Sequence, residues 1–174
     1  MAGAHVRSTA VLDGLPSAEA EHALLACCAS PSWARSVAAG RPYRDEAALL
    51  DAADRTLAAL PWSELEAVLA AHPRIGERPA GTGQEARWSS REQSGVDGAR
   101  ESTRAALATG NAAYERRFGH LYLVRAAGRS ADELLSLLTH RLGNDVATER
   151  TVVRAELWEI TQLRLSALLT GSAP

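Results

Sequence analysis

The sequence predicts an all-α protein, a single-domain irregular bundle of about seven or eight helices. Three observations carry that prediction. Apolar residues recur at three- and four-residue intervals along nearly the whole chain. No internal repeat and no long low-complexity linker interrupts them. The length, 174 residues with 46% hydrophobic and 23% charged, suits one globular core. The domain is read as residues 1–174, with 1–14 as an N-terminal arm and 170–174 as a tail.

Taken in order, the first helix starts at Ser17 and runs to about Ala29, with Leu24, Leu25 and Cys28 inward. A short turn is read around residues 31–37. Asp45 is the expected cap of a helix to Leu60, with Leu49, Leu50, Ala53 and Leu57 inward, and Pro61 breaks it. Ser63 is expected to cap a helix to about Ala71 through Leu65, Val68 and Leu69. An irregular stretch follows. A long helix is read from near Ser89 to about Arg117, bent or interrupted around Gly110-Asn111. Residues 118–127, "FGHLYLVRAA", are short, apolar and strand-like or extended. Ser130 caps a helix that Gly143 ends, and Asn144 or Asp145 starts the last helix to about Leu169.

Composition excludes several chemistries. All 19 basic residues are arginine. Without lysine there is no Schiff base, no pyridoxal phosphate attachment and no Walker A loop. The net charge is −2 with signs interspersed, which gives no footprint for nucleic acid. The only cysteines, Cys27 and Cys28, are neighbours in a helical run and read as buried thiols. His120 and His140 lack ligand spacing, so no metal site is expected; His5 and His22 read as surface or tail residues. The four tryptophans read as core or edge packing. No window has the ~18 uncharged apolar residues of a membrane helix. The first residues do not read as a secretory signal and the last three are no peroxisomal tripeptide, so the expected location is cytoplasmic.

Hydrogen-bonding groups concentrate in residues 71–95, "AHPRIGERPAGTGQEARWSSREQSG". His72 follows a helix end and precedes Pro73, which holds it extended. It is either a histidine favouring a helix C-terminus or a titratable group on a loop positioned by helices. Ser89 and Glu92 match the capping-box pattern. Gln93, Gly95 and Gly98 follow at once, and glycine inside a helix points to close approach there. A helix starting at Ser89 would also offer free N–H groups to an anion.

The last helix carries the most quantitative clue. Val153, Leu157, Ile160, Arg164 and Leu168 form one stripe at helical spacing, with Arg164 near its middle. A buried guanidinium needs a carboxylate or an anionic ligand. It either pairs internally, for instance with Glu92 or Glu46, or forks onto a ligand carboxylate or ureido group. Arg141 sits on the stripe of Leu134, Leu137 and Leu138, with Asp145 or Glu149 as partner, and is read as structural.

Four segments, "HPRIGE", "SSREQSG", "FGHLYLV" and "RLGND…ELWEITQLRL", resemble in order and spacing the OHCU decarboxylases of urate breakdown, from about Leu15 to Leu169. The substrate of that family is 2-oxo-4-hydroxy-4-carboxy-5-ureidoimidazoline. The resemblance implies an all-α bundle, a homodimer, no cofactor, a small-molecule substrate and (S)-allantoin as product. It implies His72 as the catalytic histidine and places Glu92 in the substrate-contacting S-x-x-E-Q; the substrate's chemistry makes Glu92 the expected catalytic partner, fixing the substrate hydroxyl or the His72 tautomer. The resemblance also implies substrate contacts from Pro73, Ser89, Gln93 and Arg164, and from the segment Tyr122, Leu123, Val124, Arg125 and Ala126. The chain departs from the pattern at His120-Leu121-Tyr122, where many members carry Phe-Pro-Phe. Two other readings stand beside it: a related ureido- or imidazoline-processing enzyme on the same scaffold, and a non-catalytic helical module that binds a small molecule.

Overall fold

The structure is a computed structural model that describes residues 8–77 and 82–170. Residues 1–7 of the expected arm, His5 among them, and 171–174 of the tail lie outside that description. The elements are α1 (Ala10–Asp13), α2 (Ser17–Cys27), α3 (Pro31–Ala39), α4 (Glu46–Ala58), α5 (Trp62–Ala70), α6 (Gln84–Glu92), α7 (Ser94–Asp97), α8 (Glu101–Phe118), α9 (Ala131–Arg141) and α10 (Val146–Thr170). Eight of them have seven residues or more, and no strand occurs among the described residues. The all-α reading and its element count agree with this.

Local chemistry explains most boundaries. Asp45 accepts from the Ala48 N–H at 2.8 Å and starts α4. Ser130 and Glu133 form a reciprocal capping box at the start of α9. Asp145 accepts from the Thr148 N–H at 2.8 Å and opens α10. α8 ends at Gly119, whose φ of +79° is the left-handed stop that glycine adopts freely. Four expectations need correction. Residues 31–37 are a helix, because Pro31 fits its first position and Ser30 caps it by accepting from Trp33 N–H. Ser63 caps nothing, since α5 already begins at Trp62. Gly110 does not interrupt α8, which runs unbroken from Glu101 to Phe118; a Cβ there would sit 2.5 Å from Leu138 Cδ2, so the glycine admits α9. Finally, residues 10–13 of the expected arm form a helical turn whose Leu12 is fully buried. Arg41 donates to the Leu12 and Leu15 carbonyls at 2.7 Å each, so the packed body begins before Leu15.

Two apolar clusters make the interior. The larger joins α2 to α5 with α10 and includes Trp33, Trp88 and Leu123. The smaller joins α8 and α9 with Ile75, Val96, Tyr122, Val124 and Ala126. Residues 121–126 have no regular secondary structure and pass between the two. Leu123 enters one cluster while Tyr122, Val124 and Ala126 enter the other. No strand forms across residues 118–127: Phe118 ends α8, and 121–126 keep only the alternation of buried side chains. Cys27 and Cys28 are fully buried, and burial pushes both thiols up, Cys28 to about 12.

Candidate active site

A cleft opens at the seam between the two clusters. It encloses about 300 Å³ of empty space, its open mouth included. His72, Pro73 and Ile75 line it from the connection after α5, Ser89, Glu92 and Gln93 from the end of α6, Ile160 from α10, and Tyr122, Leu123, Val124 and Ala126 from the segment between α8 and α9.

The connection after α5 is held by polar side chains from elsewhere. Gln93 accepts from Gly76 N–H at 2.9 Å and donates to the Arg74 carbonyl at 3.2 Å. Asn111 donates to the Ile75 carbonyl at 2.9 Å. Arg74 forks onto Glu115. These bonds fix Pro73 and with it His72. The His72 ring bonds no described residue, so its nitrogens are left to the cleft. Burial, assisted by the Arg164 cation, pulls the imidazole from its ordinary 6.5 down to about 3. It is therefore a neutral base at physiological pH.

This shift sets a pH dependence of stability. Between pH 3 and 6.5 the unfolded chain binds the His72 proton and the folded chain does not. The contribution is thus complete above pH 6.5 and is lost as pH falls toward 3, at most about 1.4 kcal/mol per unit. Urea denaturation at pH 7.5 and 5 should show the wild type losing more stability on acidification than His72→Gln; equal losses would contradict the shift.

Ser89 and Glu92 do not form the expected capping box. α6 begins at Gln84, with Gly83 as its extended N-cap, so Ser89 lies inside the helix and Glu92 at its C-terminal end. Both turn instead to Arg164. The guanidinium donates from Nε to Glu92 Oε1 at 2.8 Å and from Nη2 to Oε2 at 2.9 Å, and Nη2 also reaches Ser89 Oγ at 3.1 Å. Nη1 lies 3.4 Å from the Ala26 carbonyl. The internal pair with Glu92 is one of the two partners that the stripe left open. Glu46 instead accepts from Ser166. Gly95 does mark a close approach, since a Cβ there would lie 2.2 Å from the Arg129 carbonyl oxygen, whereas Gly98 has open space.

Of the site residues expected from sequence, His72, Pro73, Ser89, Glu92, Gln93, Tyr122, Leu123, Val124 and Ala126 line the cleft. Arg164, 1% exposed, sits behind Ser89 and Glu92. Arg125 points elsewhere: its N–H donates to Glu156 at 2.7 Å and its side chain lies near Glu159. The N–H groups of Tyr122, Leu123, Val124 and Ala126 donate to no described group. Ile75 and Ile160 line the cleft without having been read as site residues. The signal for Ile160 was present, one turn before Arg164 on the same stripe. Glu85 was also missed; it shares a face of α6 with Ser89 and Glu92, and burial pushes its carboxyl up. Among the described residues no cluster of histidine, cysteine and carboxylate could hold a metal. His120 packs edge-on against Trp62 and Tyr114, and His22 and His140 are exposed.

The family model of OHCU decarboxylase matches residues 13–166. The chain belongs to the OHCU decarboxylase family. An OHCU decarboxylase of Amia calva is 30% identical over 141 residues, 80% of this chain and 81% of that protein. The uric acid degradation bifunctional protein TTL of Arabidopsis thaliana is 29% identical over 150 residues, 84% of this chain. The chain spans about half of that protein's length, 46%. Two solved structures share the fold. One is OHCU decarboxylase in the presence of (S)-allantoin, with TM-score 0.72, 24% identity, and 84% of this chain and 96% of that one covered. The other is (S)-allantoin synthase, with TM-score 0.70, 16% identity, and 92% and 54% covered. Family membership reaches both sides of the cleft, since residues 13–166 include every lining residue and Arg164. Among the described residues no helix is long and apolar enough to cross a membrane.

Proposed function

We propose that this chain decarboxylates 2-oxo-4-hydroxy-4-carboxy-5-ureidoimidazoline to (S)-allantoin without a cofactor, as a cytoplasmic homodimer. The observation that carries the reading is one cleft in which an unpartnered neutral imidazole, His72, meets a carboxylate and a hydroxyl held by a buried arginine.

The substrate supplies its own electron sink. The carbon that loses CO2 bears a hydroxyl and adjoins a ring C=N. As the C–CO2 bond breaks, its electron pair moves toward that C=N, and the ring nitrogen takes a proton. The enol-like intermediate then ketonises: the hydroxyl gives up its proton and the carbon bearing the ureido group accepts one on a single face. One proton is taken up in all. The protein must hold the carboxylate out of the ring plane, stabilise the enol and manage the protons.

His72 is the general acid/base in this scheme, entering as the free base. Glu92 orients the substrate hydroxyl. Ser89, Gln93 and the free N–H groups of residues 122–124 and 126 receive the ureido and ring carbonyls, and Pro73 bounds the ring. Arg164 acts by keeping Glu92 and Ser89 aimed into the cleft. The test is the disappearance of substrate freshly generated by urate oxidation. A rate well above the spontaneous one is expected, and a rate equal to it would reject the function. Sedimentation at twice the 18.5 kDa chain mass would support the homodimer, and a monomer would reject it.

A further inference from the structure

A second buried ionic network lies behind one wall of the cleft. Arg141, 4% exposed, donates to Glu149 Oε1 from Nε at 2.8 Å and from Nη2 at 2.6 Å. Glu149 is fully buried; it also accepts from Tyr114 and, through Oε2, from Asn144 Nδ2 at 2.7 Å. These bonds alone fit a purely structural role. One bond exceeds it. Arg141 Nη1 donates to the Leu123 carbonyl at 2.7 Å, and the guanidinium carbon lies 4.9 Å from the Tyr122 ring centre. Leu123 and Tyr122 both line the cleft.

We infer that Arg141 is a positioning residue for the ligand: it fixes the backbone of residues 122–124 through the Leu123 carbonyl, so that their N–H groups meet the substrate in register. This rests on the decarboxylase reading of the cleft. The segment has no sheet partner to hold it, so its carbonyls need a donor from outside. On one side, Arg141 supplies that donor. Two residues on, Glu156 accepts from Arg125 N–H and fixes the chain again. A planar fork is required because one group must reach Glu149 and Leu123 together, which a lysine ammonium on a single point cannot do.

Two variants separate reach from charge. Arg141→Lys keeps the charge opposite Glu149 and loses the fork. Arg141→Met with Glu149→Met removes both charges, a replacement that folds tolerate, and also loses the carbonyl donor. The readout is calorimetric titration with (S)-allantoin. Stoichiometry reports the folded fraction, while Kd reports the shape of the cleft. In whichever variant folds, Kd should weaken about tenfold or more at a stoichiometry near one per chain, and kcat/KM should fall by up to about 10²-fold. An unchanged Kd, at full or reduced stoichiometry, would overturn the positioning role and leave Arg141 structural. Failure of the wild type itself to bind (S)-allantoin or to consume substrate would instead reject the function on which the inference rests.

Discussion

His72→Ala is expected to lose at least about 10²–10⁴-fold in turnover while its helical content and unfolding transition persist. The ring makes no hydrogen bond to a described residue, so its removal breaks no polar network. What disappears is a base already stripped of its proton. The connection carrying it stays anchored by Gln93, Asn111 and Arg74. Steady-state kinetics beside a urea titration separates the two effects. Near-normal turnover in a folded His72→Ala would remove His72 from the chemistry.

The second large effect concerns Arg164 and Glu92. Arg164→Met leaves a carboxylate in a site where its side chain is only 10% exposed, and Glu92→Met leaves a guanidinium that is 2% exposed. Each single change should destabilise by about 3–5 kcal/mol, because an uncompensated charge stays buried. Making both changes together should recover much of that stability, since neither charge remains. Turnover should not recover, because the carboxylate facing the cleft is gone. A double variant no more stable than either single one would show that the pair does not interact as the geometry implies. A double variant with wild-type turnover would remove Glu92 from the mechanism.

Much of this site was legible in the sequence, for reasons that differ by residue. Arg164 stood out because helical spacing alone placed a charge on a buried stripe, and a buried charge requires a partner. Asp45 and Ser130 were legible because capping is a contact within one turn. Ser89 misled for the opposite reason. Its S-x-x-E pattern is a local signal, but its hydroxyl bonds Arg164, 75 positions away. The start of α6 lies instead at Gly83, which a pattern search does not favour. The helix at Pro31 carried its own signals, Ser30 as cap and proline at the first position, and was underread. Gly110 looked like a break because its reason for being there, Leu138, lies on another helix. The departure of residues 121–126 from helix followed from composition. Their burial from two sides did not, since that depends on two clusters closing around them.

In the proposed function, this cleft breaks one carbon–carbon bond and protonates one face of the ring that remains. Circular dichroism of the allantoin formed from freshly generated substrate reads that face directly. A single (S) enantiomer is expected, formed faster than the spontaneous reaction and lost in His72→Ala. Racemic allantoin at the spontaneous rate in the presence of the wild-type protein would contradict it.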